Sequence, residues 1–221
     1  MSQSIYCADD WLMIQGLPAE RVAALAAAAE GGGWDDIVPG LDSLSLSWNP
    51  ADRSLEAARA AAEMLAASDF EAAPMASIAP AILHICYDQP WAHDADIVAE
   101  LLGLSMPTDA LPGWHAAQDW RVEMLGFQPG FAYLTCDARI PDIPRLADPR
   151  SRVEAGSVGL LGQICGLYPH AGPGGWPIIG RIAETLFDPH APSPALLQAG
   201  QKVRFERIDA SELGRRTGGA A

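Results

Sequence analysis

Residues 153–181 read VEAGSVGLLGQICGLYPHAGPGGWPIIGR, and this stretch decides the fold class of the C-terminal half. Apolar runs stand at 158–161, 164–168 and 178–182, the last ending one residue beyond this stretch; they are four or five residues long and are separated by turn residues. Similar runs stand at 120–125 and 203–208. Short runs of this kind, without long helices between them, are typical of β-barrels and sandwiches. The sequence therefore predicts a barrel or sandwich over residues 81–209.

The N-terminal half has a different texture, in which strand and helix patterns alternate. Residues 43–48 alternate serine with leucine or tryptophan, as a half-buried strand does, whereas 19–29 carry alanine, valine and leucine at helical spacing. The order from residue 11 to residue 87 is β-α-β-β-α-β, which predicts a ferredoxin-like unit over residues 1–80. Residues 68–80 are predicted to be a linker, and the strand at 81–87 fits either domain. Residues 210–221 are predicted to be a disordered tail. The fold class predicted for the whole chain is α+β.

Composition and charge exclude several classes of function. The net charge of −14 opposes binding to nucleic acid, which needs clustered lysine and arginine. Lys202 is the only lysine and does not follow a phosphate-binding glycine loop. No apolar run approaches the length of a membrane span, and the first residues do not resemble a secretion signal, so we expect a cytoplasmic protein without membrane contact. The four cysteines and five histidines show neither disulfide nor metal-binding spacing, so we expect reduced, mostly buried thiols and no metal site.

Several spaced motifs in the C-terminal half carry a specific resemblance. They are LGFQPGFAYL at 125–134, the stretch at 153–181 quoted above, LFDP at 186–189 and LLQAGQKVRFERI at 196–208. In this order they resemble the KipI / allophanate hydrolase subunit 1 family, which includes the B-type subunit of the bacterial ATP-dependent 5-oxoprolinase. The resemblance implies an α/β N-terminal domain followed by a cyclophilin-like β-barrel. It also implies that the chain forms a complex with a KipA-like partner, possibly together with a LamB/YcsF-like subunit.

The resemblance implies a catalytic function that the chain performs only together with other subunits. The chain would be one subunit of a complex that uses ATP to open the lactam of 5-oxoproline to glutamate. The implied nucleotide is ATP in the assembled complex, and no cofactor is assigned to this chain. Two alternatives stay open: a KipI-like protein that inhibits a sensor histidine kinase, and an allophanate or urea-related hydrolase subunit.

This sequence departs from the family pattern between residues 162 and 176. The usual Gly-Arg-Gln-Thr-Gly is Gly-Gln-Ile-Cys-Gly here, and the usual Pro-Phe-Glu-Ser-Pro-Gly-Gly-Trp is Pro-His-Ala-Gly-Pro-Gly-Gly-Trp. An arginine, a threonine and a glutamate are thereby lost, so we expect the family's ligand not to bind unchanged. Gln163, Tyr168 and His170 lie in or beside the altered segments and are candidate contacts of a substrate or partner.

The aromatic loop at 125–134 supplies further candidate binding residues. Glycine and proline fix its backbone, so Phe127, Phe131 and Tyr133 either form a rigid rim or plug the barrel. Gly174 and Gly175 either present amides to an anion or form a turn that seats Trp176.

His115 and Arg181 are the candidate catalytic residues. Histidine titrates near neutral pH, and His115 comes just before the strand at 120–125, where the family also tends to carry a histidine. Arg181 has the forked donors that bind a carboxylate, or it forms a structural salt bridge at the barrel edge. Cys165 has no basic neighbour in sequence and is not expected to be a nucleophile.

Overall fold

The structure is a computed structural model and describes residues 3–68, 78–104 and 110–218. It contains two compact units that divide between residues 77 and 78. Nine residues of the predicted linker, 69–77, lie outside the described part of the chain.

The N-terminal unit is a four-stranded antiparallel sheet with two helices. Its elements are β1 (Ser4–Ala8), β2 (Trp11–Gln15), α1 (Ala19–Ala29), β3 (Asp36–Pro39), β4 (Ser43–Ser47) and α2 (Leu55–Ala67). The strands lie in the order β1-β2-β4-β3. Alternation along β2 and β4 buries one face of the sheet, and the alanine-rich helices pack in the same core; the buried strand residues are Leu12, Ile14, Leu44 and Leu46.

The predicted ferredoxin-like order of this unit is not confirmed. The strand predicted to close it, at 81–87, pairs in the C-terminal unit instead. The edge of the sheet beside β2 is formed by β1, whose sequence SIYCA carries no clear strand pattern. Helix α2 does not begin at the Asn49-Pro50 pair. Asn49 accepts a hydrogen bond from the Ala51 N–H within a turn, and Ser54 caps α2 by accepting from the Ala57 N–H.

The C-terminal unit holds the remaining elements. They are β5 (Ala81–Cys86), α3 (Ala95–Leu101), α4 (Ala110–Ala116), β6 (Trp120–Leu125), β7 (Ala132–Thr135), β8 (Arg150–Val153), β9 (Ser157–Leu161), β10 (Ile164–Leu167), β11 (Gly172–Gly174), β12 (Ile178–Ile182), β13 (Lys202–Ile208) and α5 (Ala210–Thr217).

Seven of these strands close into a barrel in the order β10-β7-β6-β13-β5-β12-β9. β13 runs parallel to β5 and antiparallel to β6, while β9 pairs with β10 to complete the ring. Closure satisfies both edges of every barrel strand and surrounds one apolar core. The predicted barrel is thus confirmed, and β8 and β11 form a separate two-stranded ribbon beside it.

The predicted disordered tail is wrong for residues 210–217, which form α5. Asp209 caps this helix by accepting from the Glu212 N–H at 2.8 Å, and Leu213 is buried. Glu212 pairs with both Arg215 and Arg216 one turn later. Residues 219–221 lie outside the described part.

Candidate active site

An open cleft of about 320 Å³ lies in the C-terminal unit, beside the junction of the barrel and the β8–β11 ribbon. Its lining is mostly aromatic side chains, glycine and proline, with one charged residue: Phe127, Phe131, Tyr133, Arg145, Leu146, Pro149, Tyr168, Pro173, Gly174, Gly175 and Trp176. Ligand pockets in proteins commonly measure about 300–1,000 Å³, so this cleft suits a small molecule or one side chain of a partner.

The turn between β6 and β7 presents one wall of the cleft. Its backbone is fixed by hydrogen bonds from the Gly126 N–H to the Phe131 carbonyl (3.1 Å) and from the Phe131 N–H to the Gln128 carbonyl (2.9 Å). Phe127 has a φ of 68°, a left-handed conformation that is rare for a residue with a bulky side chain, and it is 70% exposed. The turn thus holds a phenyl ring out in solvent at some conformational cost.

The floor of the cleft is a cluster of four aromatic rings with Phe131 at its centre. The Phe131 ring centroid lies 5.1 Å from Tyr168 and 5.9 Å from Trp176 in edge-to-face geometry, and 4.8 Å from Tyr133. Gly166 on β10 makes this cluster possible. A Cβ there would lie 2.5 Å from the Trp176 ring and 2.9 Å from the Phe131 ring.

Two tyrosine hydroxyls supply the polar groups of the floor. Burial raises the pKa of both Tyr133 and Tyr168, although the Arg145 guanidinium opposes that rise, so both phenols are protonated at neutral pH. Tyr168 also forms a hydrogen bond with the Trp176 backbone. Gly174 leaves room for this hydroxyl, because a Cβ at that position would lie 2.9 Å from it.

A partly buried ion pair anchors the strand ends around the cleft. Arg150, at the start of β8, donates to both carboxylate oxygens of Asp94 at 2.8 and 2.9 Å. Asp94 also accepts from the Ile178 N–H at 2.7 Å, just past Trp176. Asp94 directly precedes α3, but its side chain makes no capping bond there. Asp94 therefore ties the ribbon strand β8 to the barrel strand β12.

The structure brings seven of the predicted binding residues together along the cleft: Phe127, Phe131, Tyr133, Tyr168, Gly174, Gly175 and Trp176. Their role in binding stays a prediction. Gln163 and His170 do not line the cleft. The Gln163 amide bonds both the N–H and the carbonyl of Ile140, and the His170 ring packs edge-to-face on Phe187 at 5.8 Å.

Arg181 also lies outside the cleft. Its Nε donates to the Ala155 carbonyl at 2.9 Å, and its guanidinium stacks over the Trp91 ring at 4.5 Å. These contacts brace β12 against a neighbouring loop, but they are made with a carbonyl and a ring and not with the carboxylate of the predicted structural salt bridge.

His115 is fully buried where α4 meets the barrel core. Its Nδ1 lies 2.8 Å from the Tyr87 hydroxyl and its Nε2 lies 3.6 Å from the Cys165 Sγ, while the Trp120 and Phe205 rings pack on the imidazole. Burial lowers the pKa of His115 to about 3 and raises that of the Cys165 thiol, so both groups are neutral. Within the described residues the imidazole has no exposed surface, so a substrate does not contact the ring in this conformation. The expected histidine in a polar pocket is a core residue instead, and Cys165 does have a histidine neighbour.

Sequence reasoning missed four lining residues: Arg145, Leu146, Pro149 and Pro173. The first three belong to the stretch IPRLADPR at 143–150, which has no regular secondary structure before β8. Two prolines and two arginines in eight residues predict an extended, cationic segment, and this was the available signal. Among the described residues, no group of three or more His, Cys, Asp or Glu side chains is placed to hold a metal ion.

The family model for the carboxyltransferase domain, subdomain C and D, matches residues 13–197. The chain belongs to this family. The match covers most of both units, including every residue that lines the cleft.

Two curated relatives carry the name of the B-type subunit of 5-oxoprolinase. The protein of Escherichia coli O157:H7 is 42% identical over 121 residues, which is 55% of each chain. That of Bacillus subtilis is 40% identical over 124 residues, 56% of this chain and 51% of the relative. The alignments thus span about half the length of these relatives.

Solved structures extend the likeness over nearly the whole chain. A conserved uncharacterized protein from Pyrococcus horikoshii is 33% identical, with 95% of this chain and 100% of that one covered and a TM-score of 0.56. The Kluyveromyces lactis urea amidolyase shares the fold over 96% of this chain and 15% of its own, with a TM-score of 0.75 at 16% identity. Within the described residues, no helix has the length and apolar character that crossing a membrane requires.

Proposed function

We propose that this chain is the B-type subunit of an ATP-dependent 5-oxoprolinase complex. The observation that carries the proposal is the 40–42% identity to two relatives with that name, within a family whose model matches residues 13–197. In the complex, water opens the amide bond of the five-membered lactam to give glutamate, with hydrolysis of ATP. The partner is a KipA-like subunit, joined by a LamB/YcsF-like subunit, in the cytoplasm. The barrel is of the cyclophilin-like class.

The cleft supports this proposal through its size and its walls. A volume of about 320 Å³ with aromatic walls suits a small ring, and the tyrosine hydroxyls of the floor can donate hydrogen bonds to its carbonyl or carboxylate oxygen. The cleft offers neither a nucleophile beside a base nor a glycine loop for phosphates. Nucleotide binding and the hydrolytic step are therefore assigned to the partner subunits, and the role of this chain is to hold the lactam.

The test is reconstitution of the complex. The chain is co-expressed with KipA-like and LamB/YcsF-like proteins, the complex is purified, and 5-oxoproline-dependent release of phosphate and glutamate is measured. We expect turnover that needs all three proteins. Phe131→Leu, in the cleft floor, should lower it, whereas Phe187→Leu, outside the cleft, should not. A stable complex without turnover on 5-oxoproline would contradict the proposed reaction, and failure to form any complex would contradict the subunit role.

A further inference from the structure

The cleft contains a single charged side chain, and the structure shows no ion pair for it. Arg145 is exposed at the cleft and lies close enough to Tyr133 and Tyr168 to influence both phenols. Among the salt bridges and hydrogen bonds of the described residues, none involves the Arg145 guanidinium, whereas the nearby Arg150 and Arg152 each have a carboxylate partner.

The chain carries 28 acidic residues against 14 basic ones, yet none of the described acidic residues lines the cleft beside Arg145. A strongly negative protein repels small anions at long range, and it binds one only where a local cation outweighs that field. Apolar walls strengthen this local interaction because they lower the effective dielectric constant around it.

We infer that Arg145 anchors the carboxylate of the ligand, with the Tyr133 hydroxyl as a second donor and the rings of Phe131 and Trp176 against an apolar ring. The ligand class is a small cyclic carboxylate. The inference rests on the proposed function, since it places the carboxylate of a 5-oxoproline-like substrate on this chain rather than on a partner subunit. Arg145 is thus a specificity-determining residue that discriminates for charge, while the aromatic cluster selects ring size.

Equilibrium binding to the full chain tests this assignment with three probes. They are 5-oxoproline, cyclopentanecarboxylate, which keeps the ring and charge but lacks the lactam, and 2-pyrrolidinone, which keeps the lactam but lacks the carboxylate. Binding is measured by calorimetry and by tryptophan fluorescence, since Trp176 lines the cleft. We expect both carboxylates to bind at least tenfold more tightly than 2-pyrrolidinone.

Substitution of Arg145 then tests whether this residue recognises the carboxylate. Arg145→Met should weaken binding of both carboxylates about tenfold or more and leave 2-pyrrolidinone unchanged, while Arg145→Lys should restore part of the affinity. Arg139→Met removes another exposed arginine that does not line the cleft, and it should leave the affinity for all three probes unchanged. Equal affinity for all three probes, no binding of any of them, or equal losses in the two methionine variants would overturn the inference. Carboxylate binding lost in Arg145→Met, together with a reconstituted complex that does not turn over 5-oxoproline, would support the inference and reject the proposed reaction.

Discussion

Two aromatic clusters in the C-terminal unit contain the same kinds of side chain but differ in their access to solvent. The core cluster of Tyr87, His115, Trp120 and Cys165 is closed on all sides. The cleft cluster of Phe131, Tyr133, Tyr168 and Trp176 borders an open cavity. In the core cluster, each nitrogen of the histidine ring faces another side chain of the protein, so neither nitrogen is available to a ligand. In the cleft, a hydroxyl and a guanidinium face a cavity large enough for a ligand.

The difference teaches that residue type alone does not mark a functional site. A histidine 3.6 Å from a cysteine has the composition of a catalytic pair, but desolvation keeps both groups neutral and nothing reaches them. Among the described residues, no nucleophile lines the cleft and no carboxylate pairs with its Arg145, yet the cleft has an open volume bordered by aromatic rings. Removal of side chains should therefore affect stability in the core cluster and binding in the cleft.

The largest expected effect is that of Trp120→Ala. Trp120 is fully buried, and its Nε1 donates to the His115 carbonyl at 2.9 Å. Truncation leaves a cavity and removes this hydrogen bond, so it should lower the free energy of unfolding by about 3–5 kcal/mol in urea titrations. The matched variant is Trp176→Ala. Because the Trp176 ring borders the cleft, its removal should lower the free energy of unfolding by at least ~1 kcal/mol less than Trp120→Ala does. Equal losses would mean that the cleft is as tightly packed as the core.

Acid should destabilise the protein through His115. The unfolded-state pKa is about 6.5 and the folded-state pKa is about 3, so between these values the unfolded chain binds a proton that the folded chain does not. Stability therefore falls as the pH drops from about 6.5 towards 3, and the loss from this group at pH 4.5 is about 2–3 kcal/mol.

The measurement compares urea unfolding at about pH 7 and about pH 4.5 in the wild type and in His115→Gln. The variant should lose less stability on acidification by about that amount. His190→Gln, which removes an exposed histidine, should behave as the wild type does. An equal loss in His115→Gln and the wild type would show that the imidazole takes up a proton while folded.

The sequence predicted the barrel strands well because short apolar runs and turn residues are local signals. β6 and β12 have the predicted bounds. It did not predict α4, because Pro112 and Gly113 argue against a helix, nor β7, because the Gly-Phe motif before it reads as one loop. It left β5 between two domains, since only long-range pairing with β13 decides that question.

The residues of the candidate site that lie within sequence motifs could be predicted. The residues whose role depends on burial and on neighbours distant in the chain could not. The aromatic and glycine residues of the cleft lie within two quoted motifs, and tertiary contacts bring them together. Arg145 has no motif of glycine and aromatic residues around it, and its significance appears only once its neighbours in space are known. The burial of His115 depends on Phe205 and Cys165, which are 90 and 50 residues away along the chain, so no local pattern reveals it.

A smaller effect is expected for Gly166→Ala, which tests the floor of the cleft. The added Cβ overlaps two rings, so Trp176 and Phe131 must move, at a cost of about 1–3 kcal/mol. Near-ultraviolet circular dichroism should report the displaced rings, and urea titrations the loss of stability. Gly113→Ala is the control, since nothing lies within 4 Å of its added Cβ and alanine favours a helix by up to about 1 kcal/mol. An unchanged aromatic spectrum in Gly166→Ala would contradict the packing described for the floor.

The smallest expected effect on stability is that of substitutions at Phe127, which differs in this respect from every residue of the core cluster. Its ring is 70% exposed, so Phe127→Ala should lower the free energy of unfolding by less than about 1 kcal/mol. Phe127→Gly should be more stable than Phe127→Ala by up to about 1 kcal/mol, because only glycine adopts a φ of 68° without a steric penalty. Both variants lack the ring, so both should weaken assembly of the complex or ligand binding to the same extent although their stabilities differ. An alanine variant as stable as the glycine variant would show that the left-handed turn relaxes without the phenyl ring, and a variant that assembles and binds as the wild type does would show that the exposed ring has no partner.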